Sequence, residues 1–448
     1  NYLTAHPSIK HTIMTGGTDT AFRLLENNPT CPLSAETGGK NAIIVTAAAD
    51  RDHAIQNIVT SSFSNAGQKC SACSLLILEK EVYNDPAFKT KLIDAVTSLH
   101  TGSAWNGGNY VGPMITNQND KLLHAINHLE EGEWWLVKPE FVDEKKYMLK
   151  PCVKWGVKPG SYSFVNELFA PMLSVVCADS FEHAIQLANS SEYGLTAGLQ
   201  SLDEREQYRW KNSIEAGNLY INRGITGAIV SRQPFGGMKR SAFGGGIKAG
   251  GPNYVSCFVT IEETGKYDVK GDLGQFKAVA GTLRNDEKKQ YEASAISYLK
   301  NYDEEFAKPR DIHNLYGEQN VFRYLPLKNM LFRINANDSL LDVLKVITAA
   351  TVAKTPLKVS LDASNPHFPT LKMLYGAEIL KLQTEAEFIA DMKNYERIRT
   401  CSADFSMDIY KKAAELGKYI ALAKPLAEGR LELIHYLKEQ SVTFEYHR

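Results

Sequence analysis

The chain has 448 residues, with 50 Lys and Arg against 51 Asp and Glu, a net charge of −1. At 44% hydrophobic and 23% charged it is too apolar for disorder and lacks the basic excess of a nucleic-acid binder. No apolar run approaches the roughly 18 residues that cross a bilayer, and the length suggests about three domains.

The N-terminus has no basic leader followed by an apolar core. The first residue is Asn1 rather than Met, and the apolar pattern is under way by Ile9, so the sequence reads as a piece of a longer protein. Residues 9–14 are predicted as a strand, Gly16 and Gly17 as a turn, and Thr18 or Asp19 as the cap of a helix reaching Asn27. A glycine turn opening a helix after a strand leaves N–H groups where an anion can sit.

A short buried-type strand follows over 41–46. Asp50 is predicted to cap a helix with Ala54, Ile55, Ile58, Val59 and Phe63 on its apolar face, ended by Gly67. The next strand starts at 75–78, which puts Cys70 in a tight connection between a helix end and a strand. Helices near 86–99 and 118–131, a strand at 172–177 and a helix at 180–190 continue the alternation, which implies an α/β fold with a largely parallel sheet. Residues 216–251 turn Gly-rich, without the Gly-Lys-Ser/Thr of a phosphate loop. Beyond Gly265 a polar stretch of weak pattern reads as a linker or flap. A second α/β pattern then runs through a strand at 330–334, helix 338–353, strand 357–361 and helix 368–376, and continues over 416–442. It has no Gly-x-Gly-x-x-Gly after any strand.

Seven cysteines, at 31, 70, 73, 152, 177, 257 and 401, form an odd, scattered set that suits a reducing compartment. Neither the Cys70–Cys73 pair nor the His124–His128 pair is completed at zinc spacing, so no metal is expected. The strongest chemical signal is Gly67-Gln68-Lys69-Cys70-Ser71-Ala72. A thiol of ordinary pKa is only about 3% ionised at pH 7. Lys69 and the N–H groups of the turn are candidates for lowering that pKa and making Cys70 a nucleophile. Alone, such a cysteine reads first as an inert buried residue. Glu36, among small residues, and Glu167, four residues before Pro171, are the carboxylates that could activate water beside a thioester.

Residues 8–262 resemble the aldehyde dehydrogenase superfamily, with four motifs in order and at family spacing. These are Met14-Thr15-Gly16-Gly17-Thr18, Glu36-Thr37-Gly38-Gly39-Lys40-Asn41, Gly67-Gln68-Lys69-Cys70 and Glu167-Leu168-Phe169. Within it, Gln68 to Cys73, Gly227-Ala228-Ile229-Val230, Gln233-Pro234-Phe235-Gly236-Gly237 and Lys248-Ala249-Gly250-Gly251-Pro252 resemble the L-glutamate γ-semialdehyde (1-pyrroline-5-carboxylate) dehydrogenases. The strongest likeness is to the dehydrogenase half of the bacterial proline utilization A proteins. The tail resembles their C-terminal domain at Tyr316-Gly317-Glu318-Gln319-Asn320, Arg323-Tyr324 and residues 426–433.

The resemblance implies an α/β fold: residues 1–37 the end of a truncated NAD-binding domain, 38–262 an aldehyde dehydrogenase catalytic domain, 263–325 a linker or flap and 326–448 a second, Rossmann-like α/β domain. It implies that Cys70 attacks the aldehyde to give a hemithioacetal that passes hydride to NAD, and that Glu36 activates the water releasing the product. Glu167 and Phe169 would hold the nicotinamide end of NAD, with Gly16 and Gly17 along the pyrophosphate. Ser71, Gly227 and Ala228 would anchor the substrate carboxylate, and Phe235 would pack on its methylenes. Gly17 and Ala170 depart from the family's Ser and Gly, and Arg232, Met238-Lys239-Arg240 and Ala242-Phe243 from its Gly- and Ser-rich stretch.

The family's cofactor domain begins over two hundred residues earlier, so the isolated segment is expected to bind NAD poorly and turn over little. The expected setting is a bacterial cytoplasm. The expected partners are a small-molecule substrate, copies of itself in a homo-oligomer, and, in the full-length protein, an upstream cofactor domain and a proline dehydrogenase domain, with no nucleic acid and no membrane span. A dehydrogenase of another carboxylated aldehyde such as succinate semialdehyde, a non-catalytic scaffold, and a Cys70–Cys73 redox switch are the competing readings.

Overall fold

A computed structural model describes residues 2–117, 119–265, 267, 270–402 and 405–446. Its framework is a nine-stranded sheet. In spatial order the strands are Glu318–Pro326, Leu437–Glu445, Asn218–Ile221, Thr196–Gln200, Asn41–Val45, Cys73–Glu79, Met172–Ala178, Cys152–Trp155 and Trp134–Val137. The seven inner strands run parallel, and the two edge pairings are antiparallel.

Parallel strands must be covered on both faces, which is why Asn41–Val45 is buried at every position. On one face the helix Arg51–Phe63 packs Ala54, Ile55, Ile58, Val59 and Phe63 against Ile43, Val45, Leu76 and Leu78. Its N-cap is Asp50, as the sequence predicts, accepting from the N–H groups of Asp52 and His53. On the other face Ala184, Ile185, Leu187 and Trp210, from Phe181–Asn189 and Glu204–Ser213, cover Ile44, Leu75 and Ile77.

The first strand is Thr12–Thr15, shorter than predicted, in a three-stranded sheet beside Leu33–Glu36 and Ala242–Phe243. The helix after it spans Thr18–Asn27 with Gly17 as its N-cap, so Thr18 and Asp19 lie inside its first turn rather than capping it. The helix expected near 86–99 is Pro86–Thr97, and that expected near 118–131 is Asp120–Asn127. Residue 118 lies outside the described residues. The departures at 238–243 form ordered pairs: Met238–Lys239 runs antiparallel to Tyr193–Gly194, and Ala242–Phe243 to Leu33–Glu36.

The tail holds a five-stranded parallel sheet in the order Leu380–Leu382, Leu357–Leu361, Met330–Ile334, Arg397–Thr400, Ile420–Ala421. Chain order 3-2-1-4-5 is the doubly wound arrangement that the alternation predicts. Two features differ from the sequence reading. The polar stretch read as a linker or flap contains the 17-residue helix Asn285–Asn301, whose buried face is Tyr291, Ala293, Ser294, Ala295, Ser297 and Tyr298. And Leu437–Glu445 does not extend the second sheet; it pairs with Asn218–Ile221 and draws Glu318–Pro326 onto the edge of the first.

Residues 426–433 lock the second unit. The buried carboxylate of Glu432 accepts from Arg399 Nη2 at 3.0 Å, Tyr436 Oη at 2.7 Å and the Leu426 N–H at 2.9 Å. Removing one member of a buried pair leaves the other charge uncompensated, at about 3–5 kcal/mol. E432A is therefore expected to lower the unfolding free energy by about that amount, read by denaturant titration of the full-length protein. Among the described residues no helix is long and apolar enough to cross a membrane.

Candidate active site

Cys70 is half-buried in the connection between the Ser64–Gly67 turn and the strand Cys73–Glu79. Gly67 sits at φ +66°, and a Cβ there would collide with the carbonyl oxygen of Ala170, so only glycine lets this loop lie against the segment that carries Glu167. The loop is clamped by Asn41. Its Nδ2 donates to the carbonyls of Cys70 at 2.7 Å and Ala72 at 2.9 Å, while its Oδ1 accepts from the Thr196 N–H at 3.0 Å. A buried amide with its groups paired in this way is a rigid support.

Glu36 ends the strand Leu33–Glu36, and its carboxylate accepts from the Gly237 N–H at 2.8 Å. The turn after it is tied to the same Gly-rich stretch by Thr37 Oγ1 to Arg240 O at 2.7 Å and Ser241 Oγ to Gly38 O at 2.8 Å. Burial pushes the Glu36 carboxyl up to about 7, with Lys248 and the Gly237 N–H pulling the other way. Glu167 accepts from the Gly39 N–H at 3.0 Å, in a space that a Cβ on Gly38 would fill. Burial raises its pKa against the pull of Gly39, Lys40 and Lys121.

The three groups meet electrostatically. The Cys70 thiol is raised by burial, then by the charges of Glu36 and Glu167, while the N–H groups of Ser71 and Cys70 lower it. This corrects the expectation that Lys69 and the turn hold the thiol low. The turn N–H groups act as expected, but desolvation and two carboxylates outweigh them, and Lys69 is not among the leading causes. The resting sulfur is a thiol whose proton must leave as it attacks, and the nearby carboxyl with a pKa of about 7 is suited to taking a proton from water.

The other residues are placed unevenly. Gly16 donates to Glu36 O at 3.2 Å, so the glycine turn is stitched to the residue that carries this carboxylate. Ser71 is buried behind Cys70, its carbonyl accepting from Thr196 Oγ1 at 3.3 Å. Phe169 is 41% exposed at a left-handed φ of 50°, a conformation that costs a bulky residue about 1–2 kcal/mol and holds its ring outward. Phe235 is half-buried, paired through its backbone with Ala249 at 2.9 Å in both directions. Gly227, at φ +83°, and Ala228 lie at the start of an exposed loop. Among the described residues, no hydrogen bond, ion pair or ring contact ties Gly227, Ala228, Phe169 or Phe235 directly to Cys70. A cleft of about 560 Å³ reaches Gly237 and Glu439 but neither Cys70 nor Glu167.

Sequence reasoning assigned no role to Asn41, Lys248 or Glu439. Lys248 is buried, donating from Nζ to Asn218 Oδ1 at 3.1 Å and to Gly236 O. Burial pulls it down to about 8 while Glu36 and Glu439 hold it up. Glu439, from the last strand, accepts from the Lys248 N–H at 2.7 Å and Asn253 Nδ2 at 2.6 Å. A lysine inside a Gly-rich stretch was the available signal for the first of these. Nothing local could bring in the second, which lies 191 residues away. The two imidazoles of His124 and His128 stack at 4.3 Å, and among the described residues no cluster of three or more His, Cys, Asp or Glu could hold a metal.

A profile of the aldehyde dehydrogenase family matches residues 1–263. A 1-pyrroline-5-carboxylate dehydrogenase of Geobacillus kaustophilus is 34% identical over 264 residues, 57% of this chain and 50% of that protein. The structure of proline utilization A from Corynebacterium freiburgense matches 100% of this chain and 43% of that one, with 36% identity and a TM-score of 0.84. A Thermus 1-pyrroline-5-carboxylate dehydrogenase with bound NAD matches 57% of this chain and 51% of that one, at 32% identity and a TM-score of 0.54. The chain thus spans about half the length of the relatives it matches.

Proposed function

The chain belongs to the aldehyde dehydrogenase family, and from that premise we propose that, in its full-length protein, it carries the catalytic portion of an NAD-dependent L-glutamate γ-semialdehyde dehydrogenase of proline catabolism. The observation that carries this reading is a half-buried Cys70 within electrostatic reach of both Glu36 and Glu167.

Cys70 adds to the aldehyde carbon, and its proton passes to a nearby base as the C–S bond forms. NAD, when bound, supplies the hydride acceptor. The residues that would hold its nicotinamide end are Glu167, its carboxylate fixed by Gly39 over the space left by Gly38, and Phe169 with its outward ring. Gly16 and Gly17 at the mouth of Thr18–Asn27 would lie along its pyrophosphate. Glu36 then removes a proton from water as that water attacks the thioester. The Ser71 hydroxyl and the Gly227 and Ala228 N–H groups hold the substrate carboxylate, and Phe235 covers its methylenes. Donors that the bound substrate covers, and that a shorter or uncharged aldehyde leaves unpaired, discriminate by about 1–3 kcal/mol, on the order of tenfold to a hundredfold.

The division at 37/38 and 262/263 and a homo-oligomer belong to this proposal, as do an upstream cofactor domain and a proline dehydrogenase domain in the same polypeptide, the last two supported by a match that covers 43% of a proline utilization A chain. A cytoplasmic setting agrees with seven cysteines, none in a disulfide among the described residues. The test is kcat/KM of the full-length protein for glutamate and succinate semialdehydes, with a preference for glutamate semialdehyde expected; equal values or the reverse order would overturn the substrate assignment.

Product release should titrate. Glu36 must be ionised to accept a proton, so kcat is expected to rise through pH about 7, the value to which burial lifts that carboxyl. Lys248 pulls the pKa down, so K248M raises it, and the limb moves to higher pH by about one unit or more. A pH profile of kcat for both proteins checks the sign.

A further inference from the structure

The loop that begins at Gly227 is closed by Gln233. Its backbone N–H donates to Ile229 O at 2.9 Å, and its side-chain Oε1 accepts from the Ile229 N–H at 2.9 Å. The amide orientation is unambiguous, because the Ile229 N–H can only donate and must face the oxygen. Nε2 then turns to two acceptors, Glu318 Oε1 at 2.9 Å and Asn320 Oδ1. Gln233 and Asn320 are 1% and 3% exposed, so these bonds are sheltered from water. The charge of Glu318 is taken up by Arg223 Nη1 at 2.9 Å, which keeps it from acting on the loop as a bare anion. A second tie joins Ser231 Oγ to His313 Nε2 at 3.0 Å. Asp311 fixes that neighbourhood by accepting from the N–H groups of His313 at 3.0 Å and Asn320 at 2.8 Å.

Glu318 and Asn320 stand on the edge strand Glu318–Pro326, outside the residues that match the family profile. The shape of the loop is therefore set by a different part of the chain from the part that carries Cys70. We propose that Glu318 and Asn320, acting through Gln233, are positioning residues that set the enzyme's selectivity for carboxylated aldehydes. This rests on the proposed role of the Gly227 and Ala228 N–H groups as the carboxylate anchor. Two backbone donors discriminate only while their spacing is fixed, and a misplacement of about 1 Å costs on the order of a hundredfold.

The experiment compares kcat/KM for L-glutamate γ-semialdehyde and for propanal, which has no carboxylate, in the full-length protein. In E318A the ratio of the two is expected to fall about tenfold or more, through a raised KM for the semialdehyde. E318Q keeps an acceptor for Gln233 and should hold the ratio within about threefold of the parent. Q233E still accepts from Ile229 but turns a second carboxylate toward Glu318. It should lose the preference as E318A does, and it carries the test should E318A not accumulate as folded protein. A ratio unchanged in E318A and Q233E, or one that falls equally in E318Q, overturns the proposal while leaving the anchor intact. A parent protein with no preference for the carboxylated aldehyde overturns the anchor reading itself.

Discussion

Replacing Cys70 by serine in the full-length protein is expected to lower kcat/KM for the semialdehyde by about a thousandfold or more, which corresponds to roughly 4 kcal/mol of lost transition-state stabilisation. The expectation follows from what the substitution keeps and what it removes. Serine is nearly isosteric, and the backbone at this position is held by Asn41 through the Cys70 carbonyl, so the loop keeps its place. The sulfur is lost. In its setting even the thiol is raised by burial, Glu36 and Glu167, and a hydroxyl, much less acidic still, has no accessible anion near neutral pH. Because the thiol is raised, the ionised fraction climbs with pH, so the parent's acylation rate should rise toward alkaline pH. Stopped-flow measurement of the first turnover checks both points.

Glu36→Gln is expected to separate the two halves of the reaction. Glutamine can still accept from the Gly237 N–H, so the local geometry at 2.8 Å is retained, but it cannot take a proton from water. Steady-state turnover should fall by about a hundredfold to a thousandfold while an acyl-enzyme builds up. The sign of the effect on Cys70 is opposite. Glu36 raises the thiol, so removing its charge lowers the thiol pKa, and the burst of product from the first turnover should persist with its pH dependence moved to the acid side. Loss of the burst together with turnover would give Glu36 a required part in acylation as well.

The elements best read from sequence were those whose pattern is decided locally. The helix Arg51–Phe63 declares itself through Asp50 and a regular apolar face, and the buried strands on either side through continuous Val, Ile and Leu. The helix Asn285–Asn301 was not legible because it buries alanines, serines and two tyrosines rather than a leucine stripe, against Leu340–Val352 and Gly429–Glu432. Gly429 permits this, since a Cβ there would press on Ser297 O. The return of Leu437–Glu445 to the first sheet was hidden for another reason: its register partner for Ser441 is Asn218, and such pairing leaves no local trace.

The same division holds at the site. Cys70, Glu36 and Glu167 were legible as motifs, and their proximity is a property of the fold. What the motifs did not show is the support around them: Asn41 holding the Cys70 loop, Gly237 holding Glu36, Lys248 with Glu439 behind it, and Gln233 reaching to Glu318. In each case one partner lies in a recognisable stretch and the other is brought to it by tertiary structure. The direction of the Cys70 pKa was misjudged for the same reason, since desolvation belongs to the packed chain and not to the residues beside the sulfur.

The most direct measurement is acid-quenched mass spectrometry of the full-length protein and its E36Q variant after mixing with L-glutamate γ-semialdehyde and NAD. The account predicts a glutamyl adduct on the peptide containing Cys70, faint in the parent and abundant in E36Q. Turnover by the parent without an adduct on Cys70 in either protein, or an adduct on a different residue, would contradict it.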